Sequence, residues 1–145
     1  MNRVDRESPI QIQIVEYLRS VLPAGCMVHH CKNEINKRGK GIAIELAKAK
    51  RKGAITGFPD LLVLNYANVG PCFFEVKAEG NYATDTQKEV HEQLRALGYR
   101  VAVVRSVEDV RESLRKWAVG TREITSNWRS VGEIAAEMVK GQKDE

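Results

Sequence analysis

The 145-residue sequence has little cysteine, few aromatic side chains and no long apolar run. Its three cysteines, Cys26, Cys31 and Cys72, are odd in number, which argues against the disulfide framework of a small secreted domain. No stretch approaches the roughly 18 apolar residues that span a bilayer, and the N-terminus is charged rather than signal-like. We therefore expect a soluble, cytoplasmic protein with no membrane partner.

The chain also lacks a strong excess of charge. Its formal net charge of +4 is too small to indicate a nucleic-acid-binding protein by itself. With 43% hydrophobic residues, the chain can form one packed core, and its length corresponds to one domain. The pattern of apolar residues predicts a helix, a strand, a helix, a hairpin, a helix, a strand and a helix, in that order. This order favours an α/β fold with a mixed central sheet flanked by helices.

Ionisable residues lie at the ends of two neighbouring predicted strands. Asp60 precedes an apolar strand at residues 61–64, and a second strand at residues 72–77 contains Glu75 and Lys77. Alternation places Glu75 and Lys77 on one face, and antiparallel pairing would bring Asp60 beside them. Carboxylates suit Mg²⁺ or Mn²⁺, and a neighbouring lysine can stabilise charge on a phosphoryl group. The alternative is a surface ion pair with Asp60 as a turn residue.

These residues belong to an ordered series of short motifs. The series comprises Glu7-Ser8-Pro9-Ile10-Gln11, His30 and Asn33, Gly53 through Gly57-Phe58-Pro59-Asp60, Phe74-Glu75-Val76-Lys77, Thr84-Asp85-Thr86-Gln87 and Leu97-Gly98-Tyr99-Arg100-Val101. Over residues 7–117 it resembles the virus-type replication-repair nuclease (VRR-NUC) domain family of the PD-(D/E)xK nuclease superfamily.

The resemblance implies an αβββαβ restriction-endonuclease-like core, dependence on Mg²⁺ or Mn²⁺, and cleavage of DNA. The catalytic residues expected from it are Asp60, Glu75, Lys77, Gln87 and Glu7, and the expected metal ligands are Asp60, Glu75 and the Val76 carbonyl. We predict a nuclease domain at residues 1–119, followed at 120–145 by a linker, a short helix and a charged tail. That extra helix could mediate dimerisation, cover the core or contact DNA.

Glu7, one of the expected supporting residues, lies beside the start of the first predicted helix. Ser8 and Gln11 form a capping-box pattern, and an apolar stripe follows at Ile10, Ile14, Leu18 and Val21. Glu7 lies just before this predicted start. Favourable interaction with the helix dipole would by itself explain Glu7.

Gln87, the other expected supporting residue, lies in the third predicted helix. Thr84 and Gln87 form a second capping-box pattern, followed by an apolar stripe at Val90, Leu94 and Leu97. Capping would explain Gln87, and the resemblance adds a place at the edge of the site. Lys88 and His91 on this helix have only a generic interpretation, as solvent-facing or DNA-contacting side chains.

Basic residues are concentrated before Asp60. They are Lys37, Arg38, Lys40, Lys48, Lys50, Arg51 and Lys52. Beside a metal site, such residues would contact DNA phosphates without reading sequence. The alternative is a solvated helix face.

Zinc binding has weaker support. Cys26, His29, His30 and Cys31 lie on one short predicted strand, where neighbours alternate between faces, and no paired Cys-x-x-Cys elements accompany them. Buried free cysteines are the favoured interpretation, with His30 facing the active-site side of the sheet. A zinc-dependent structural protein is the alternative.

These observations predict a metal-dependent endodeoxyribonuclease of a bacterial or phage-infected cytoplasm. We expect selectivity for branched DNA, such as Holliday junctions or flaps, and a homodimer. The competing hypothesis is a module with a nuclease-like fold that binds branched DNA or a repair partner without cleavage.

Overall fold

The computed structural model describes residues 4–32, 41–66 and 69–122. Within these ranges the elements follow the predicted order: α1 (Glu7–Val21), β1 (Met27–His30), α2 (Ile42–Arg51), β2 (Leu61–Leu64), β3 (Cys72–Val76), α3 (Asp85–Ala96), β4 (Arg100–Val104) and α4 (Val107–Lys116). None of the helices in these ranges is long and apolar enough to cross a membrane. The predicted C-terminal helix lies outside the described residues.

The four strands form one mixed sheet in the order β1-β2-β3-β4. β1 pairs antiparallel with β2, and β2 pairs antiparallel with β3, whereas β3 and β4 are parallel. The parallel pair requires a crossover connection, which α3 supplies. The predicted α/β fold with a mixed central sheet is confirmed.

Helices cover both faces of the sheet and bury all five residues of β3. On one face, Phe74 and other β-strand side chains pack with Ile14 and Leu18 of α1 and Leu114 of α4. On the other face, Phe73 packs with Val90 and Leu94 of α3. The strand therefore alternates between two apolar cores, and Glu75 faces the side that α3 covers.

The start of α1 differs from the prediction. The helix begins at Glu7, so Ser8 lies inside it and Arg6 occupies the N-cap position. Asp5, one residue earlier, satisfies the first turn instead, since its Oδ1 accepts the backbone N–H groups of Glu7 and Ser8 at 3.1 and 3.0 Å. The first N–H groups of a helix lack internal partners, and the earlier carboxylate reaches them first. Glu7 is consequently a helical residue whose direction is set by α1.

The prediction that Leu97 joins the buried stripe of α3 is also wrong. Val90 and Leu94 are buried, but Leu97 is 73% exposed. Leu97 is the capping residue after Ala96, and its N–H still donates to the Gln93 carbonyl at 3.1 Å, so it keeps the helical direction but lies past Val90 and Leu94, the α3 residues that pack on the sheet. Gly98 then turns the backbone with a φ of +94°.

Candidate active site

The β2–β3 hairpin brings Asp60 beside β3. Leu61 pairs with Phe74 in antiparallel register, so the residue before Leu61 lies opposite the residue after Phe74, which is Glu75. Asp60 Oδ2 accepts a hydrogen bond from the Val76 backbone N–H at 2.7 Å. On the other side, the Asp60 carbonyl accepts the Cys31 N–H at 2.7 Å. Backbone groups of both neighbouring strands therefore fix the position of Asp60.

Glu75 is a buried carboxylate, only 1% exposed. Its Oε1 accepts a hydrogen bond from Gln87 Nε2 at 2.8 Å and lies 3.5 Å from Lys77 Nζ. Its Oε2 is also buried and has no hydrogen-bond partner among the described residues. One oxygen is thus held by two donors, while the other retains its full capacity as an acceptor or a metal ligand.

Lys77 continues the same face of β3 as the alternation predicts. Its side chain is 11% exposed, and its backbone N–H donates to the Val104 carbonyl at 3.0 Å. An ammonium group with so little access to water interacts strongly with a neighbouring charge. The side chain therefore provides a positioned cation next to the two carboxylates, rather than an ion pair on the surface.

Gln87 performs two functions at once. Its backbone N–H donates to Thr84 Oγ1, and its side-chain Oε1 accepts the Thr84 N–H, which completes the predicted capping box. Its Nε2 remains available and donates to Glu75. The capping box orients the amide so that its second end reaches the carboxylate.

His91 is a residue of this cluster that the sequence interpretation missed. The expectation that it faces solvent or DNA is wrong, because His91 is 2% exposed and its Nε2 lies 3.8 Å from Glu75 Oε2. Like that oxygen, Nε2 is buried without a hydrogen-bond partner among the described residues. The signal was present in the sequence, since His91 follows Gln87 by one helical turn and so lies on the same face of α3.

Gly57 allows the loop that precedes Asp60 to approach α3. Its φ is +88°, and an added Cβ would lie 3.0 Å from the Thr86 backbone and 3.1 Å from the Gln87 nitrogen. Glycine tolerates both the positive φ and the close contact. Pro59, two residues later, is fully buried, and Phe58 packs against the cluster that contains Val90 and Leu94 of α3.

The electrostatic environment of Asp60 is unfavourable for a free carboxylate. Burial, together with the charges of Glu75 and Glu7, raises the pKa of Asp60 from 3.8 to about 6. The Val76 N–H and the Lys77 ammonium oppose this effect only in part. Acidic groups here exceed the positive charge that compensates them, which is the condition under which a bound cation stabilises a site.

Glu7 lies beside this cluster, at the edge of an open cavity. Its Oε1 accepts a hydrogen bond from Asn81 Nδ2 at 3.3 Å. The cavity has a volume of about 590 Å³ and is lined by Val4, Asp5, Arg6, Glu7, Lys77, Gly80, Asn81, Tyr82 and Thr84. Lys77 therefore borders both the carboxylate cluster and a space that solvent or substrate can enter.

The donor set fits a hard divalent cation. Glu75 Oε2 is a buried oxygen without a partner among the described residues, Asp60 has a raised pKa, and the Val76 carbonyl belongs to the residue between Glu75 and Lys77. Mg²⁺ commonly uses one or two carboxylates and completes its coordination with water. Within the described ranges, no three His, Cys, Asp or Glu side chains are grouped to hold a metal by themselves. The zinc alternative at Cys26 and Cys31 thus has no geometric support there.

Two other predicted features are His30 and the basic residues before Asp60, and those of them that the structure describes make no hydrogen bond or ion pair with the carboxylates of Asp60 and Glu75. His30 was expected to face the active-site side of the sheet. It is opposite Leu61, and its Nδ1 is 2.8 Å from Gln11 Nε2, so it lies on the face that α1 covers and not on the face of Glu75. Strand alternation explains this correction, since Leu61 points into the core beneath α1. The basic residues of α2 and its end are all exposed: Lys48, Lys50, Arg51 and Lys52. Lys37, Arg38 and Lys40, together with Asn33, fall outside the described residues.

Comparisons with known proteins found a matching family model and similar solved structures. Residues 5–108 match the family model described as the VRR-NUC domain. A solved structure titled "VRR_NUC domain protein" is 25% identical with a TM-score of 0.62, covering 82% of this chain and 93% of its own. Another, titled "VRR_NUC domain", is 25% identical with a TM-score of 0.53, covering 78% of this chain and 97% of its own. A comparison with curated proteins found no match.

Proposed function

The chain belongs to the VRR-NUC domain family, and on this premise we propose that it is a Mg²⁺- or Mn²⁺-dependent endonuclease that cleaves branched DNA. Family membership implies a nuclease-type function with DNA as the substrate, and nucleases of this family generally use divalent metal ions. The observation that supports metal-dependent cleavage is that Asp60, Glu75 and Lys77 lie close together at one end of the β2–β3 hairpin.

Each residue of the cluster has a distinct proposed role. Asp60, Glu75 and the Val76 carbonyl would hold the metal, and Gln87 would keep the Glu75 carboxylate in place through its 2.8 Å hydrogen bond. A divalent ion bound there would activate water and neutralise charge on the phosphate. Lys77 would orient the attacking water and stabilise developing negative charge, because its ammonium group is held beside Glu75 and is largely excluded from solvent.

Glu7 would contribute from α1. It lies close enough to raise the pKa of Asp60, and it lines the open cavity. A carboxylate at that position would hold a metal-bound or attacking water by accepting a hydrogen bond from it.

Recognition of branched DNA would begin with contacts to phosphates. The exposed side chains of Lys48, Lys50, Arg51 and Lys52 suit such contacts, which carry no sequence information. Replacing all four with alanine should weaken DNA binding and reduce the slope of log K against log salt by up to about 0.9 for each phosphate that is no longer neutralised. Lys116→Ala, at the exposed end of α4, is the control.

A second copy of the chain would suit symmetric cleavage of a four-way junction. Helix α2 packs against none of the other described helices and strands, and Ile42 and Leu46, one helical turn apart on the same face, are exposed. A two-fold contact through this apolar face would form the homodimer. Light scattering coupled to size-exclusion chromatography should give twice the monomer mass, and Leu46→Glu should reduce it.

The direct test is incubation of the purified chain with labelled four-way junctions, flaps and linear duplex, with Mg²⁺, with Mn²⁺ and with EDTA. We expect metal-dependent cleavage that favours the branched substrates. Asp60→Ala should abolish cleavage while DNA binding remains close to normal or becomes tighter. If the folded protein binds branched DNA but cuts none of these substrates with either metal, the proposal fails and the non-cleaving binding module is correct.

A further inference from the structure

The loop between β3 and α3 carries an aromatic side chain at the edge of the cavity that Lys77 borders. Tyr82 is 76% exposed and lines this cavity together with Lys77 and Glu7. An aromatic ring so exposed contributes little to the core, and it lies where a substrate bound at Lys77 would extend. The chain therefore presents an exposed aromatic ring beside Lys77, its proposed catalytic cation.

Arg105 fixes this ring in place. Its guanidinium carbon lies 5.2 Å from the centroid of the Tyr82 ring, and its Nη1 donates to the Ala78 carbonyl at 2.7 Å. The first contact is a cation–π interaction, and the second ties the same side chain to the start of the loop. At the other end of the loop, Thr84 is held by the capping box. The ring is thus supported from the end of β4 rather than carried on a free segment.

We propose that Tyr82 stacks on an unpaired DNA base next to the scissile phosphate, and so determines the preference for branched over fully paired DNA. This inference rests on the proposed nuclease function, because it assigns the specificity of the same site. A base within a continuous duplex has both faces covered by its neighbours, whereas a base at a branch point or flap can offer a face to an aromatic side chain. The cavity, at about 590 Å³, has the size of a typical small-molecule site and can admit one nucleotide.

Basic side chains around the cavity suit the phosphate of this occupant. Lys77 and Arg6 line the cavity and Arg105 lies over the ring, so three cations border the space that a nucleotide would enter. Of the two acids that line it, Asp5 is engaged in capping α1, and Glu7 accepts from Asn81. Stacking tolerates any base, since every base has a π face, so this device would select DNA structure rather than sequence.

The test compares binding of a forked DNA and a fully paired duplex of the same sequence by the full chain, in EDTA so that no cleavage occurs. The fork carries 2-aminopurine as its first unpaired base, and its fluorescence reports stacking. In the wild-type protein, stacking on the Tyr82 ring should quench the 2-aminopurine fluorescence. We expect Tyr82→Ala to abolish this quenching and to lower the fork-to-duplex affinity ratio by about tenfold, the scale of base–aromatic stacking. Tyr82→Phe, which keeps the ring, should preserve both.

Leu97→Ala is the matched control. Leu97 is 73% exposed and lies beyond the opposite end of α3, so its substitution should leave the ratio unchanged. If Tyr82→Ala weakens fork and duplex equally, or weakens neither, the inference is overturned. A wild-type protein that cuts no substrate with Mg²⁺ or Mn²⁺ would refute the nuclease proposal instead, and the affinity ratio, measured without cleavage, would still decide the role of Tyr82.

Discussion

Asp60→Asn should make the metal-free protein more stable while removing its activity. The pKa of Asp60 rises from 3.8 to about 6 in the folded protein, and each pKa unit corresponds to about 1.4 kcal/mol. Ionised Asp60 therefore opposes folding by up to about 3 kcal/mol, and we expect about 1–3 kcal/mol because the side chain is partly exposed. Asparagine keeps an oxygen that can accept the Val76 N–H and carries no charge to repel Glu75.

The sign of the pH dependence follows from the direction of this pKa change. A raised pKa means that the folded protein binds the proton more tightly than the unfolded chain does. The stability that protonated Asp60 provides is fully present below about pH 3.8 and is lost as the pH rises to about 6. Relative to wild type, Asp60→Asn should gain stability over this interval and keep that gain at higher pH.

Urea unfolding in EDTA at pH 5 and pH 8 measures this difference, with Asp85→Asn as the control. Asp85 is exposed in the first turn of α3, where its charge is favourable, so its substitution should be neutral or slightly destabilising. Adding Mg²⁺ should stabilise wild type but not Asp60→Asn, because only wild type retains the ligand. An Asp60→Asn protein that is less stable than wild type in EDTA at pH 8 would refute the reasoning.

Three further predictions concern the neighbours of the carboxylates. Lys77→Ala should lower kcat by about 10²–10³ while DNA binding in EDTA changes little, as single-turnover rates and anisotropy would show. Gln87→Ala and Thr84→Ala should each cost about 1 kcal/mol of stability through the shared cap, but only Gln87→Ala should also reduce the cleavage rate, because only Gln87 contacts Glu75. Gly57→Ala should destabilise the protein by about 1–3 kcal/mol more than Gly53→Ala, because both glycines have positive φ but only a Cβ at Gly57 would contact a neighbouring backbone. Equal losses of stability in thermal unfolding would contradict the close contact.

The cluster illustrates a conflict between stability and function. Glu75 and His91 are buried with facing atoms that lack partners among the described residues, and Asp60 is ionised at a cost. Buried polar groups without partners and unbalanced charges are destabilising in the absence of a ligand. Natural proteins retain such features where binding or chemistry depends on them.

Much of the site was determined locally and could be predicted from the sequence. The two-residue repeat of a strand requires Glu75 and Lys77 to share a face, whatever the rest of the fold does. The capping box of Thr84 and Gln87 is likewise a relation between residues three apart. Apolar periodicity predicted the order of helices and strands, because each element must bury one stripe or face.

Contacts between distant residues were decided only by the tertiary structure. His91 is buried because α3 places it against Glu75, whereas Leu97 is exposed at the end of α3, past the residues that pack on the sheet. His30 faces α1 because of its register with Leu61 on β2. Local periodicity gives the face of each element, but it does not give the register, crossing position or end point that sets which faces meet. The carboxylate pair depends on both levels: the sequence by itself determined which residue types were available, and hairpin pairing together with packing against α3 decided that Asp60 and Glu75 lie together in a place that water reaches poorly.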